Sequence, residues 1–571
     1  MFEPQLIKAF ICSKYYNPLF KTKSNMKIKH IATIFAIIIA QFGCVNTPPT
    51  IAETPAGEQP SHPKLVVGIV VDQMRYDYLY RFYDRYGEDG LKRLMDEGFN
   101  CRNNHYHYAT TVTGPGHAHI YNGSVPAISG IIGNSWHDRN TGEDMYVAAD
   151  STVSLIGEGS KGAGEMSPKN MLVTSITDQL RLANEFQSKV VGVAIKDRGA
   201  ILPVGHTGDA YWYDSRNGNW ITSSFYKKEL PTWVKSFNDL KLPASYIKEM
   251  WTPLYDINSY VESEDDDQPY EASISGESGA VFPHKVTMGS IAQTPYGNYL
   301  TRDFAIAAIE GENLGKGKAT DFLAVSFSTP DYAGHAFGPH SKEIEDIYLR
   351  FDKDIELLLD YLDTNIGEGE YTVFLTADHG VADIPSFTRK NKIAGGLLTG
   401  SEISEPIRKA IEGKYGEGKW VESFDNYQLY LNHELMKEKN VSVEDIFKVI
   451  RPALIRQEGI YEVVDLTNLS KTSIPEFYKE KVTNMYNPKR SGDLMVLVEP
   501  SWLVGYTKGT THGSMWSYDT HVPLLWYGWG IKKGETVKNT YISDIAPTLA
   551  ILLKILEPNG SVGKPIEDLF D

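Results

Sequence analysis

The sequence predicts a doubly wound, mainly parallel α/β sheet, and three observations carry that reading. Short apolar, β-branched runs recur along the chain, and each ends in a polar cluster. Helical patterns fall between the runs, as an alternating strand–helix fold requires. The polar clusters collect Asp, His, Lys and Arg where open α/β sheets gather their ligands, at the carboxyl ends of strands.

Each element can be justified in order. Leu65 to Val71 runs into Asp72, and Val190 to Ile195 into Lys196-Asp197-Arg198. Phe322 to Ser328 meets Pro330-Asp331, and Tyr371 to Thr376 meets Asp378-His379. Leu494 to Val498 and Val522 to Tyr527 read the same way. Continuous apolar runs of this length fit strands buried on both faces. Helical spacing appears at Leu91-Leu94-Met95, over Ile344 to Leu362, and over Ile542 to Ile555, where Ser543-Asp544 offers a cap and Pro547 sits in the first turn. Residues 208–294 and 385–490 are aromatic-rich and punctuated by Gly and Pro. They read as insertions that cover the site within one catalytic domain, residues 64–571.

The amino terminus reads as an address. Met26 offers a better start than Met1, because Lys27 and Lys29 precede the apolar run Ile31 to Ala40. That run has about half of the ~20 residues a membrane-spanning helix needs, so residues 1–43 read as a leader and secretory signal. Gly43-Cys44 resembles a lipoprotein cleavage site, which would make Cys44 a lipid anchor; the alternative is a simple signal peptide with Cys44 unmodified. Residues 44–63, rich in Pro, Thr, Glu and Ala, read as a flexible tether. Both readings place the protein outside the cytoplasm, in the periplasm.

Composition narrows the partners. The chain has 571 residues and 56 Lys+Arg against 73 Asp+Glu, a formal net charge of −17. That excess argues against nucleic acid, which needs clustered Lys and Arg. Three Cys in so long a chain exclude a disulfide framework. The acidic run from Glu262 to Asp267 reads as a solvated loop, since no helix-flanked ligand spacing follows it.

The chemistry lies in the polar clusters. Asp72, Asp331, His335, Asp378, His379 and His512 form a set of three Asp and three His, enough for two metal sites of three ligands each. Mixed oxygen and nitrogen ligands suit zinc, and three protein ligands leave positions open. Thr113, directly before Gly114-Pro115-Gly116, can open a helix beside an anion site. A Thr hydroxyl is a poor nucleophile until a metal or base deprotonates it. Lys196 and Arg198, two apart at a strand end, can point to one side. Asn134 follows the Thr113 helix. His105, His107, His117, His119 and His137 crowd this region without matching a ligand position and read as supporting residues, as do His340 and His521.

The ordered set Asp72, Thr113, Asp331/His335, Asp378/His379 and His512 resembles the alkaline phosphatase superfamily. Within it, the chain looks most like the Thr-nucleophile, phosphate-irrepressible (PafA-type) bacterial alkaline phosphatases, from about Lys64 to its end. The resemblance implies a phosphomonoesterase with two zinc ions, acting on small phosphomonoesters through a phospho-threonine at Thr113. One zinc would be held by Asp331, His335 and His512, the other by Asp72, Asp378 and His379 with Thr113. Asn134, Lys196 and Arg198 would bind the phosphoryl oxygens. The sequence lacks the Cys/Ser-x-Pro-x-Arg setting of sulfatases. The rivals are a nucleotide pyrophosphatase/phosphodiesterase with the same Thr and ligands, and a metal-stabilised binding protein without catalysis.

Overall fold

The computed structural model describes residues 61–570. The leader, Cys44 and the tether as far as residue 60 lie outside the described residues. Pro63 is already buried, and its carbonyl accepts a hydrogen bond from Thr320 Oγ1 at 2.6 Å. Among the described residues, no helix is long and apolar enough to cross a membrane.

The central sheet has ten strands. They are β1 (Leu65–Val71), β2 (Phe99–Cys101), β3 (Leu155–Ile156), β4 (Val190–Ala194) and β5 (Asp209–Asp214), then β6 (Asn219–Ser223), β7 (Asp321–Phe327), β8 (Tyr371–Thr376), β9 (Leu524–Gly528) and β10 (Gly534–Thr536). Their spatial order is β10-β2-β9-β8-β1-β7-β4-β5-β6-β3. The run from β8 to β5 is parallel throughout. The flanks are not: β9 lies antiparallel to β8, and β6 antiparallel to β5. Every residue of β1, β7 and β8 is buried, so helices must cover both faces. Those helices are α1 (Thr113–Asn122), α2 (Ile176–Ala183), α3 (Asp197–Val204), α4 (Pro295–Glu312), α5 (Thr329–Phe337), α6 (Lys342–Leu362) and α7 (Ile545–Leu553). α1 packs on α3, and α4 on α6.

Two expectations from the sequence are corrected. Leu494–Val498 is a strand, but it belongs to a separate four-stranded antiparallel sheet with Val421–Asp425, Gln428–Leu431 and Ile460–Asp465. It is buried because the helices Gly400–Tyr415 and Val443–Leu454 pack there and build a second small core around Ile403, Ile446 and Leu494. Burial alone therefore could not assign the strand to the main sheet. At α7 the Asp544 carboxylate does not cap the helix. It accepts the Tyr541 and Lys564 N–H groups at 2.9 and 2.8 Å, and Ile542–Asp544 forms a 3₁₀ turn before the helix. The long helix α6 starts where Ser341 accepts the Ile344 N–H at 3.2 Å, a regular N-cap.

Two glycines set how closely α1 and α3 approach the sheet. A Cβ on Gly68 in β1 would lie 2.6 Å from the Tyr121 hydroxyl of α1. A Cβ on Gly192 in β4 would lie 2.2 Å from the Ala200 carbonyl of α3. Glycine inside a strand marks such close approach. Gly192→Ala must push α3 outward, so urea unfolding should show a loss of about 1–3 kcal/mol, the usual cost of overpacking.

Candidate metal centre and anion site

The site forms where β1, β4, β7 and β8 end side by side. Asp72 follows β1, and its N–H still donates to the Phe327 carbonyl of β7 at 3.1 Å. Asp331 sits in the first turn of α5, and His335 one turn later on the same face. Asp378 and His379 follow β8. His512 arrives on the loop before Ser517–Thr520. That loop is tied down by Asp519, whose Oδ2 accepts the Ser514 N–H and hydroxyl at 2.7 and 2.6 Å. Burial pushes the Asp519 carboxyl up to about 6.

Each imidazole is oriented by the same device. His335 Nδ1 lies 2.9 Å from the Thr510 carbonyl, His379 Nδ1 2.9 Å from the Gly380 carbonyl, and His512 Nδ1 2.8 Å from the Thr111 carbonyl. A carbonyl only accepts, so each Nδ1 carries a proton, and in the neutral imidazole each Nε2 presents a lone pair. Those lone pairs face carboxylates. His335 Nε2 is 3.2 Å and His512 Nε2 3.4 Å from Asp331 Oδ1, and His379 Nε2 is 3.5 Å from both Asp72 Oδ1 and Asp378 Oδ2.

Two sets of ligand atoms, Asp331/His379/His512 and Asp72/Asp378/His379, each lie within 4.8 Å of one another. His379 belongs to both groupings and stacks on His512 with ring centroids 3.5 Å apart. Asp72 Oδ1, Asp378 Oδ2 and His379 Nε2 are buried with no hydrogen-bond partner. Acceptors that converge in this way and are served by no donor fit metal ions, and the mixed oxygen–nitrogen set suits a transition metal.

The electrostatics follow from burial. Burial raises the Asp72 carboxyl well above its usual range, and repulsion from Asp331 and Asp378 adds to that. Burial would raise Asp331 too, but His335 and Lys196 beside it hold it well below. Burial holds the His379 imidazole down at about 3, so it stays neutral and able to ligate. Gln73 bridges the two carboxylate groups: its N–H donates to Asp378 Oδ1 at 3.1 Å and its Nε2 to Asp331 Oδ1 at 2.7 Å.

Beside these ligands lies a cationic pocket. α1 begins at Thr113, and Gly114 N–H donates to Asn134 Oδ1 at 2.7 Å, which leaves the Asn134 NH₂ group as its free end. Lys196 Nζ sits 2.6 Å from Asp72 Oδ2, 2.5 Å from Asp331 Oδ2 and 3.5 Å from Thr113 Oγ1. Arg198 Nη2 donates to the same hydroxyl at 3.3 Å. The strand-end reasoning for this pair needs correction. Lys196 is the N-cap residue and Arg198 lies in the first turn of α3, so helix geometry turns both toward Thr113.

Sequence reasoning missed two residues here, Tyr146 and Gln73. Tyr146 donates its hydroxyl to Asp197 and accepts from Arg198 Nη1 at 3.3 Å. The hairpin Ser135–Asp138/Glu143–Tyr146 folds it back beside Asn134, a long-range placement with no local signal. Gln73 was missed although it adjoins Asp72. His117, read from the sequence as a supporting residue, is buried in α1, with Nδ1 2.9 Å from the Thr113 carbonyl and 3.3 Å from Asp378 Oδ2. The other histidines lie apart: His340 meets Asp383 at 3.0 Å, and His521 stacks between Tyr76 and His105.

The family described as type I phosphodiesterase / nucleotide pyrophosphatase matches residues 66–523. A protein of Myroides odoratus named calcium-transporting ATPase is 47% identical over 528 residues, 90% of this chain and 96% of its own. Alkaline phosphatase PhoV of Synechococcus elongatus is 47% identical over 519 residues, 89% of this chain and 93% of its own. The crystal structure of wild-type alkaline phosphatase PafA superposes with a TM-score of 0.87 at 42% identity, covering 89% of this chain and 99% of that one. A solved mutant of PafA is altered at a Thr, an Asn, a Lys and an Arg, spaced along its chain as Thr113, Asn134, Lys196 and Arg198 are here.

Removing bound metal should expose the repulsion among the buried carboxylates. Dialysis against a strong chelator is expected to strip transition metal and lower the thermal midpoint, as checked by elemental analysis and calorimetry on the same sample.

Proposed function

The chain belongs to the type I phosphodiesterase / nucleotide pyrophosphatase family of the alkaline phosphatase superfamily, and on that premise we propose that it is a two-zinc phosphomonoesterase. The observation that carries the reading is the Thr113 hydroxyl held by two cations, Lys196 at 3.5 Å and Arg198 at 3.3 Å, beside the Asp and His ligands. Asp331, His335 and His512 would hold one zinc, and Asp72, Asp378 and His379 the other, with Thr113 as a further ligand. Zinc bound there would supply Lewis acidity, lowering the pKa of coordinated hydroxyls and water and stabilising developing negative charge.

The chain's own residues supply the rest. Thr113 opens α1, where the helix dipole favours an anion, while the Gly114 N–H holds Asn134 in place. Its hydroxyl oxygen, having lost its proton, attacks phosphorus in line as the P–O bond to the leaving alcohol breaks and the alcohol departs, giving a phospho-threonine; water then attacks that phosphorus from the vacated side, releasing inorganic phosphate and restoring the Thr113 hydroxyl. Lys196, Arg198 and the NH₂ end of Asn134 grip the non-bridging oxygens. A monoester dianion carries one more negative charge than a diester, so it gains more from the Lys–Arg pair, and electrostatic stabilisation dominates phosphoryl transfer. Tyr146 and Asp197 keep Arg198 aimed at the site. The reading includes export, supported by the basic start at Met26 and the apolar run Ile31 to Ala40, with Cys44 as a lipid anchor.

The description of the matched family favours one second reading, a nucleotide pyrophosphatase/phosphodiesterase. Turnover of a phosphomonoester, a phosphodiester and a sulfate ester, with and without chelator, separates the two. Thr113→Ala should abolish turnover with the circular dichroism spectrum intact. Lys196→Ala should cost the monoester about 10²–10³-fold and the diester far less; equal losses would overturn the monoesterase assignment. Tyr146→Phe, which frees Arg198, should lower monoester kcat/KM about tenfold.

A further inference from the structure

Of the six Asp and His ligand candidates, five directly follow a strand or lie on α5, and His512 alone stands on a loop. Gly513 beside it has φ of 112°, a backbone that glycine adopts without strain. What grips that loop therefore decides where the imidazole stands. One side is held by the segment that leads into Thr113. His512 Nδ1 meets the Thr111 carbonyl at 2.8 Å, and Thr111 Oγ1 donates to the Ser514 carbonyl at 2.7 Å.

The other side is held by the insertion at residues 385–490. Its helix Glu476–Met485 sends in Lys481, which is 4% exposed. Lys481 Nζ donates to the Met515 carbonyl at 2.9 Å and to Thr520 Oγ1 at 3.4 Å, and lies 4.8 Å from the centre of the Phe477 ring. Asp519 and Glu480 act on the amine only through space, and burial pushes it down to about 8. A buried ammonium without a bonded carboxylate is costly, and an apolar side chain would fill the same space at less cost. What the ammonium adds is N–H donors for two oxygens of one loop. It also brings positive charge toward Asp519, whose Oδ1 is buried without a hydrogen-bond partner. Asn484, one turn further along the same helix, donates to the His107 carbonyl at 2.8 Å. The helix thus holds the His512 loop and the segment from His107 to Thr113 together.

We propose that Lys481 is a positioning residue for the metal centre: by holding the Met515 carbonyl and the Thr520 hydroxyl it fixes the 513–520 segment, and with it the place of His512. The insertion then contributes to metal retention, although no residue of it is a ligand candidate. The inference rests on the reading of His512 as a zinc ligand and is independent of which ester is hydrolysed.

Zinc affinity of the metal-free, full-length protein, measured by competition with a chromophoric chelator, is the test. The wild type should bind two zinc ions. Lys481→Met should weaken one of them about tenfold or more, the usual cost of losing a group that orients a ligand, and leave the other unchanged. In His512→Ala the same substitution should cost nothing further, since no imidazole is left to position. Thr483→Ala, at an exposed position of the same helix, should match the wild type. Thr520→Val withdraws one of the amine's two acceptors and should weaken the same ion about threefold. If Lys481→Met does not fold, Thr520→Val decides the question, and no loss there would overturn the inference. Unchanged affinity in Lys481→Met, equal weakening of both ions, or a full further loss in His512→Ala would overturn it and leave the two-zinc reading standing. Wild-type protein that takes up no zinc would overturn both.

Discussion

The structure depends on one electrostatic constraint: three fully buried carboxylates, Asp72, Asp331 and Asp378, are gathered at adjacent strand ends. Burying like charges together is costly unless counter-charge is built in. The protein supplies part of it through Lys196, which touches both Asp72 and Asp331. It leaves the remainder to cations by turning three imidazole lone pairs inward and committing each Nδ1–H to a backbone carbonyl. Much else follows from keeping those groups in place. The Gly509–Ser514 loop, the Asp519 anchor and the carbonyls of Thr111 and Thr510 all fix ligand orientation instead of adding apolar core.

The anion side shows the same division of labour. Thr113 and Asn134 are joined by a bond from the Gly114 N–H, so the start of α1 and the loop after it move together. The inserted small sheet reaches this loop as well. Asn426, at the tip of the Val421–Asp425/Gln428–Leu431 hairpin, donates to the Ser135 carbonyl at 2.9 Å. Asn426 and Tyr427 there have φ of 49° and 62°, a left-handed pair that a two-residue hairpin turn requires. The insertion thus buttresses the loop that carries Asn134.

Much of this was legible in the sequence because strand ends are local. Asp72, Asp331 and Asp378-His379 each follow an apolar run, and a run of that kind in a parallel sheet predicts where its polar terminus points. His512 and Thr113 stand out by residue type beside Gly, without any run to announce them. Tyr146 was not legible, because its role arises from a hairpin closing onto a helix that starts some fifty residues later. The assignment of Leu494–Val498 failed for a related reason. A strand buried by two helices in a small satellite core has the same composition as one buried in a large central sheet.

Gln73 carries a consequence for how this site tolerates substitution. Its backbone is left-handed, with φ of 66°, and its amide ties a carboxylate of one metal cluster to a carboxylate of the other. Its Oε1 occupies the space a side chain at position 334 would need, since a Cβ there would come within 1.9 Å. Positions 73 and 334 are therefore coupled sterically. A larger residue at 334 would have to displace the Gln73 side chain, and that movement breaks its bond to Asp331 and unlinks the two clusters. A substitution at 334 is thus felt first in how Asp331 is held relative to Asp378.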